Sequence, residues 1–104
     1  MNVKHKFTID TAELLLANSW FTAVEYMSPD EEGVTRPAFS AMETQVLDYL
    51  ADQARSAGLA VTFDAGQNAI FSLPEDANVE EYVLVGSHVD TVPMGGNFDG
   101  LAGV

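Results

Sequence analysis

The 104-residue sequence contains no cysteine, which excludes a disulfide framework and any thiolate metal site. A metal bound by this chain must take imidazole and carboxylate ligands. Basic residues are scarce: 4 Lys and Arg stand against 16 Asp and Glu, a formal net charge of -12 that makes nucleic acid and anionic membrane poor partners. No apolar run approaches the roughly 18 residues of a membrane span. Lys4, His5 and Lys6 look like the basic start of a secretory leader, yet Asp10 and Glu13 interrupt the apolar stretch that would have to follow. These absences point to a cytoplasmic protein with no membrane partner.

What is present is an ordinary globular composition, 47% hydrophobic and 19% charged, sufficient for one domain with a modest core. The acids cluster at Glu25, Asp30, Glu31 and Glu32, and again at Glu75, Asp76, Glu80 and Glu81. Such runs read as solvated surface. Asp90 and Asp99 fall outside them.

Ala12, Leu15, Leu16, Trp20, Phe21, Val24 and Met27 recur at helical spacing, and Asp10 or Thr8 is placed to cap an amphipathic helix from Asp10 to Met27. Residues 28–37 carry turn chemistry and read as loop, with Pro37 biasing Arg36 away from helical angles. Ser40 and Glu43 form a capping-box pattern ahead of a second helix, whose apolar face is Val46, Leu47, Leu50, Ala54 and Ala57 and whose stop is Gly58. Residues 59–63 and 69–73 read as a hairpin turning at 64–68. Residues 82–87 contain the most continuously apolar segment, predicted as a strand buried on both faces.

Directly after that segment, a histidine and two acids stand among turn residues in Gly86-Ser87-His88-Val89-Asp90-Thr91-Val92-Pro93-Met94-Gly95-Gly96-Asn97-Phe98-Asp99-Gly100. In extended chain, His88 and Asp90 project to one side, so a carboxylate can orient an imidazole whose other nitrogen binds a metal. Read alone, such a histidine is more often a hydrogen-bonded structural residue. Asp99 strengthens the metal reading, because the neighbouring glycines free the backbone to fold it toward His88. A calcium loop fails on Gly95 and the missing downstream glutamate, and a phosphate cradle fails on spacing and the missing lysine. Ser87 does not sit on a nucleophile elbow.

This stretch, with Gly103-Val104, resembles the N-terminal metal motif of the N-carbamoyl-amino-acid and allantoate amidohydrolases of the zinc aminoacylase and carboxypeptidase superfamily. The likeness extends through Gly33-Val34-Thr35-Arg36, Phe39-Ser40, Ala57-Gly58-Leu59, Phe63-Asp64 and Asn68. The resemblance implies a two-metal hydrolase using Zn, Mn, Co or Ni. In it, His88 would bind one metal, Asp99 would bridge both, and Asp90 would orient His88, with a cis peptide after Asp99. It implies carbamoyl or ureido substrates and a homodimer of the complete enzyme. Relatives place a glycine just before the asparagine of the hairpin turn, whereas here Gln67 precedes Asn68.

The expectation is therefore an α/β fold, a partial zinc-exopeptidase-like catalytic domain with two helices on a small mixed sheet of 59–63, 69–73 and 82–87. Residues 1–104 would form the N-terminal part of an amidohydrolase cleaving linear C–N bonds other than peptide bonds. The catalytic glutamate, the remaining ligands and the dimerisation domain of the family have no counterpart here, so the fragment alone is expected to be inactive. Arg36 is a candidate for binding a substrate carboxylate, against the plainer reading of a surface or structural ion pair. Two alternatives stand beside this one: a truncated non-catalytic interaction module, and a peptidase or aminoacylase of the same superfamily.

Overall fold

A computed structural model describes residues 8, 10–76 and 78–104; Lys4, His5 and Lys6 lie outside them. Helix α1, Thr11–Met27, starts at a reciprocal capping box. The Asp10 carboxylate accepts from the Glu13 N–H at 2.8 Å, and Glu13 accepts from the Asp10 N–H at 3.2 Å. This satisfies two donors that a helix start leaves free. Helix α2, Ala41–Ser56, is capped by Ser40, which accepts from the Glu43 N–H at 3.2 Å. The Glu43 carboxylate accepts from the Phe39 N–H at 2.9 Å, one residue before the cap itself.

Gly58, at φ 91°, ends α2 in the left-handed conformation that glycine alone adopts without penalty. Its N–H donates to Arg55 O and the Leu59 N–H donates to Ala54 O, each at 3.0 Å, the paired bonds of a Schellman motif. The chain then enters a hairpin of β3, Ala60–Phe63, and β4, Ala69–Ser72, in the register Ala60 to Ser72 and Phe63 to Ala69. A second antiparallel pair lies earlier, β1 (Pro29–Asp30) with β2 (Gly33–Val34), inside the segment expected to be loop. Single turns of 3-10 helix occur at Pro74–Asp76 and Gly100–Gly103.

The core joins Val24 of α1, Val46 and Leu50 of α2, Val89 and Leu101, with Phe21, Met27, Leu47 and Tyr49 packed around it. Each such side chain, fully buried, contributes on the order of 1.5–3 kcal/mol of transfer free energy. Two of the five buried members therefore come from the segment that carries the candidate ligands. Trp20 adds a polar tie between the helices, its indole N–H donating to Gln53 Oε1 at 2.9 Å.

The fold is mixed α and β, but three expectations are corrected. Residues 82–87 form no strand, and Tyr82, Val83, Leu84 and Val85 are exposed. A strand requires a partner for its backbone ladder, and residues 82–87 pair with neither β3 nor β4. The single mixed sheet is accordingly replaced by two small antiparallel ones. On α1 only the second half of the apolar stripe is covered, because Leu15 and Leu16 face solvent.

Candidate metal site

The site rests on alternation along an extended segment. Val89 is buried in the core, so His88 and Asp90 on either side of it project the other way. His88 Nδ1 lies 2.9 Å from Asp90 Oδ1 and 3.2 Å from the Asp90 backbone carbonyl. With both acceptors on Nδ1, the proton belongs on that nitrogen and the Nε2 lone pair is left facing outward. Nε2 in turn lies 3.6 Å from Asp99 Oδ2. His88, Asp90 and Asp99 are thus brought together. All three side chains are at least a third exposed. Ion pairs that open to water contribute about 0–1 kcal/mol, so their arrangement bears on chemistry more than on stability.

Two loops meet to make this arrangement, and hydroxyl groups fasten them. Ser87 Oγ donates to Gly100 O at 2.5 Å, tying the residue before His88 to the residue after Asp99. Gly100 allows the approach: a Cβ there would stand 2.5 Å from Cγ and Cε1 of the His88 ring and would overlap the His88 carbonyl. Asn97 Nδ2 donates to Phe21 O at 2.9 Å, and the Phe98 ring packs against Phe21 with centroids 4.6 Å apart. The Asp99 loop is thereby seated on α1. The peptide after Asp99 is trans, and no cis bond occurs among the described residues, contrary to the expectation from resemblance.

The His88 loop is seated on the β2 segment. Gly95 and Val34 exchange both backbone hydrogen bonds, at 2.8 and 2.9 Å. Thr91 N–H donates to Arg36 O at 2.8 Å, Thr91 Oγ1 accepts from the Arg36 N–H at 2.9 Å, and the same hydroxyl donates to Val34 O at 3.0 Å. Ser87 and Thr91 were not singled out from sequence as site-building residues. A signal for Thr91 did exist: inward alternation from Val89 places a hydroxyl where it must find partners.

Arg36 is not placed where a solvent-borne substrate would meet it. It is 0% exposed, Nε donates to Val89 O at 2.5 Å, and Nη1 donates to Val24 O at 3.5 Å. Burial pushes its guanidinium pKa down, while the charges of Asp90 and Glu43 raise it. It makes neither a surface ion pair nor any side-chain salt bridge among the described residues.

The donor set suits a divalent cation of borderline softness: one imidazole nitrogen presented by a carboxylate, opposite a second carboxylate. It does not fill a coordination shell, since no group of three or more His, Asp or Glu side chains able to hold an ion occurs among the described residues. Against known proteins, the chain is 48% identical over 73 residues to an N-carbamoyl-L-amino acid amidohydrolase of Geobacillus stearothermophilus, covering 69% of this chain and 18% of that protein. It is 36% identical over 74 residues to an N-carbamoyl-L-amino-acid amidohydrolase of Pseudomonas sp. (strain NS671), covering 71% and 18%. The chain is homologous to part of the N-carbamoyl-amino-acid and allantoate amidohydrolases.

An allantoate amidohydrolase of Bacillus subtilis (strain 168) is 33% identical over 80 residues, 77% of this chain and 19% of that protein. The chain spans about a fifth of the length of the relatives it matches. No family model and no solved structure matches it. No helix among the described residues is long and apolar enough to cross a membrane.

Proposed function

We propose that this chain supplies part of the metal centre of a cytoplasmic amidohydrolase that cleaves linear C–N bonds other than peptide bonds, in substrates of the N-carbamoyl amino acid, ureido acid or allantoate type. The observation that supports it most is the facing of His88 Nε2 and Asp99 across 3.6 Å, in a chain homologous to such enzymes. His88 would hold one divalent ion, and Asp99 would be shared between two ions of the Zn, Mn, Co or Ni class. The metals, when bound, polarise the scissile carbonyl and lower the pKa of an attacking water.

The chain's own part is positional. Asp90 keeps the proton on Nδ1 of His88, so the ring offers Nε2. Ser87 and Gly100 fix the distance between the two ligand loops, and Asn97 and Phe98 seat the Asp99 loop on α1. No group of three or more His, Asp or Glu side chains able to hold an ion occurs among the described residues, so the 104-residue chain alone is expected to leave substrate intact. The remaining ligands come from elsewhere in a zinc-exopeptidase-like domain, which as a whole enzyme would form a homodimer.

The test is a chimaera in which this chain replaces the matching segment of the Geobacillus stearothermophilus enzyme. Hydrolysis of N-carbamoyl amino acids with added Mn, Co or Zn is expected, and His88→Ala or Asp99→Ala should abolish it. A folded chimaera that cleaves no carbamoyl, ureido or allantoate substrate would overturn the proposal.

A further inference from the structure

Arg36 is the largest fully buried side chain among the described residues, and it sits beneath the candidate site without being exposed in it. Its Nε donates to the carbonyl of Val89, the residue between His88 and Asp90, and Nη1 reaches Val24 O near the end of α1. Its backbone also pairs with Thr91 on both sides, N–H to Oγ1 and O to N–H. Nη2 is buried with no hydrogen-bond partner among the described residues. A buried cation with an unmet donor is destabilising compared with an apolar side chain of similar volume. Stability alone therefore does not account for arginine here.

Resting on the metal-site reading above, we propose that Arg36 is a positioning residue that fixes the Val89 peptide, and through it sets the orientation in which His88 and Asp90 meet a divalent cation. The planar guanidinium is suited to this because Nε and Nη1 address two carbonyls at fixed angles, joining the helix to the ligand segment. Lysine offers one charged point and cannot define the orientation of both. The peptide so held is the one on which the outward projection of both side chains depends.

The sign of the effect separates positioning from electrostatics. Arg36 lies close enough to Asp90 for their charges to interact. Removing a positive charge beside a cation site should tighten metal binding by Coulomb attraction alone. Loss of positioning should weaken it, on the order of 10-fold or more, as for other partners that orient a ligand.

The experiment titrates the chimaera described above, which supplies the remaining ligands, with Zn2+, following the His88 imidazole nitrogens by NMR alongside calorimetry, with the parent segment, Arg36→Met and Arg36→Lys. Circular dichroism reports whether each variant is folded. The expected result is a Zn2+ affinity about 10-fold weaker in Arg36→Met and intermediate in Arg36→Lys, with the Nδ1 signal moved toward that of a free imidazole in both. Parent-like or tighter binding in folded Arg36→Met overturns the inference while leaving the metal reading intact. If Arg36→Met does not fold, parent-like binding in Arg36→Lys does the same. A His88 signal unmoved by Zn2+ in the parent overturns both.

Discussion

Gly100→Ala places a methyl group where the two ligand-bearing loops touch. The new carbon would lie 2.5 Å from Cγ and Cε1 of the His88 ring, whereas carbon atoms rest at about 3.5–4.0 Å, so a retreat of about 1 Å or more is forced. The ring, half exposed, can swing outward and lose Asp99. The His88 carbonyl cannot, being backbone tied to the neighbouring Val89 in the core. Overpacking of this kind costs about 1–3 kcal/mol. At roughly 4–8 °C per kcal/mol for a domain near this size, the Tm should fall by roughly 5–20 °C. Thermal unfolding by circular dichroism reads that term, and Zn2+ titration of the chimaera should show an affinity lowered about 10-fold or more. Gly96→Ala is the control, because a Cβ there would meet nothing within 4 Å. A Gly100→Ala chain melting with the parent and keeping its His88 resonances would refute the packing argument.

Gln67 holds φ 67° in the hairpin turn, and Gln67→Gly should raise stability by about 0.5–1 kcal/mol, the left-handed strain outweighing the added chain entropy; urea denaturation showing a loss would contradict it. Leu50→Ala empties a core position of α2 and should cost about 2–5 kcal/mol, enough to depress or erase the thermal transition. Hydrogen bonds from the Asn68 side chain and backbone, and from Gly66 N–H, hold the Asp64 carboxyl below its ordinary value near 3.8. The folded turn thus prefers the charged form, so its stabilisation is complete above that pH and is lost as pH falls through the lower value in the folded chain. The Asn68 amide resonance should titrate below pH 3.8, and a midpoint above it would refute the assignment.

Both helices and the β3–β4 hairpin were legible because their signals are local: Asp10 and Ser40 at the starts, Gly58 at a stop, and two apolar runs five residues apart. The turn departure at Gln67 was also legible, and the chain keeps the left-handed conformation there despite lacking glycine. The β1–β2 pair was hidden because two-residue strands have no period to detect. Residues 82–85 misled for the opposite reason: a strong apolar pattern states only that burial would be favourable, and the covering partner is not a property of the pattern. At the site, the outward pairing of His88 and Asp90 followed from alternation. The burial of Arg36 did not follow from anything local, since it depends on Val24 and Val89 arriving from elements 12 and 53 residues away.

The bare stretch Tyr82–Val85 sets apart the two bodies it connects. A protease favouring aromatic and leucyl residues would find exposed sites there at Tyr82 and Leu84, between an upstream piece bearing both helices and a downstream piece bearing His88 and Asp99. The downstream piece is docked by the Gly95–Val34 exchange, the Arg36 and Asn97 side chains, and the burial of Val89 and Leu101. A cut at either site would sever connectivity without touching those contacts, and a synthetic peptide of residues 86–104 is in that sense a detachable ligand arm for the remainder.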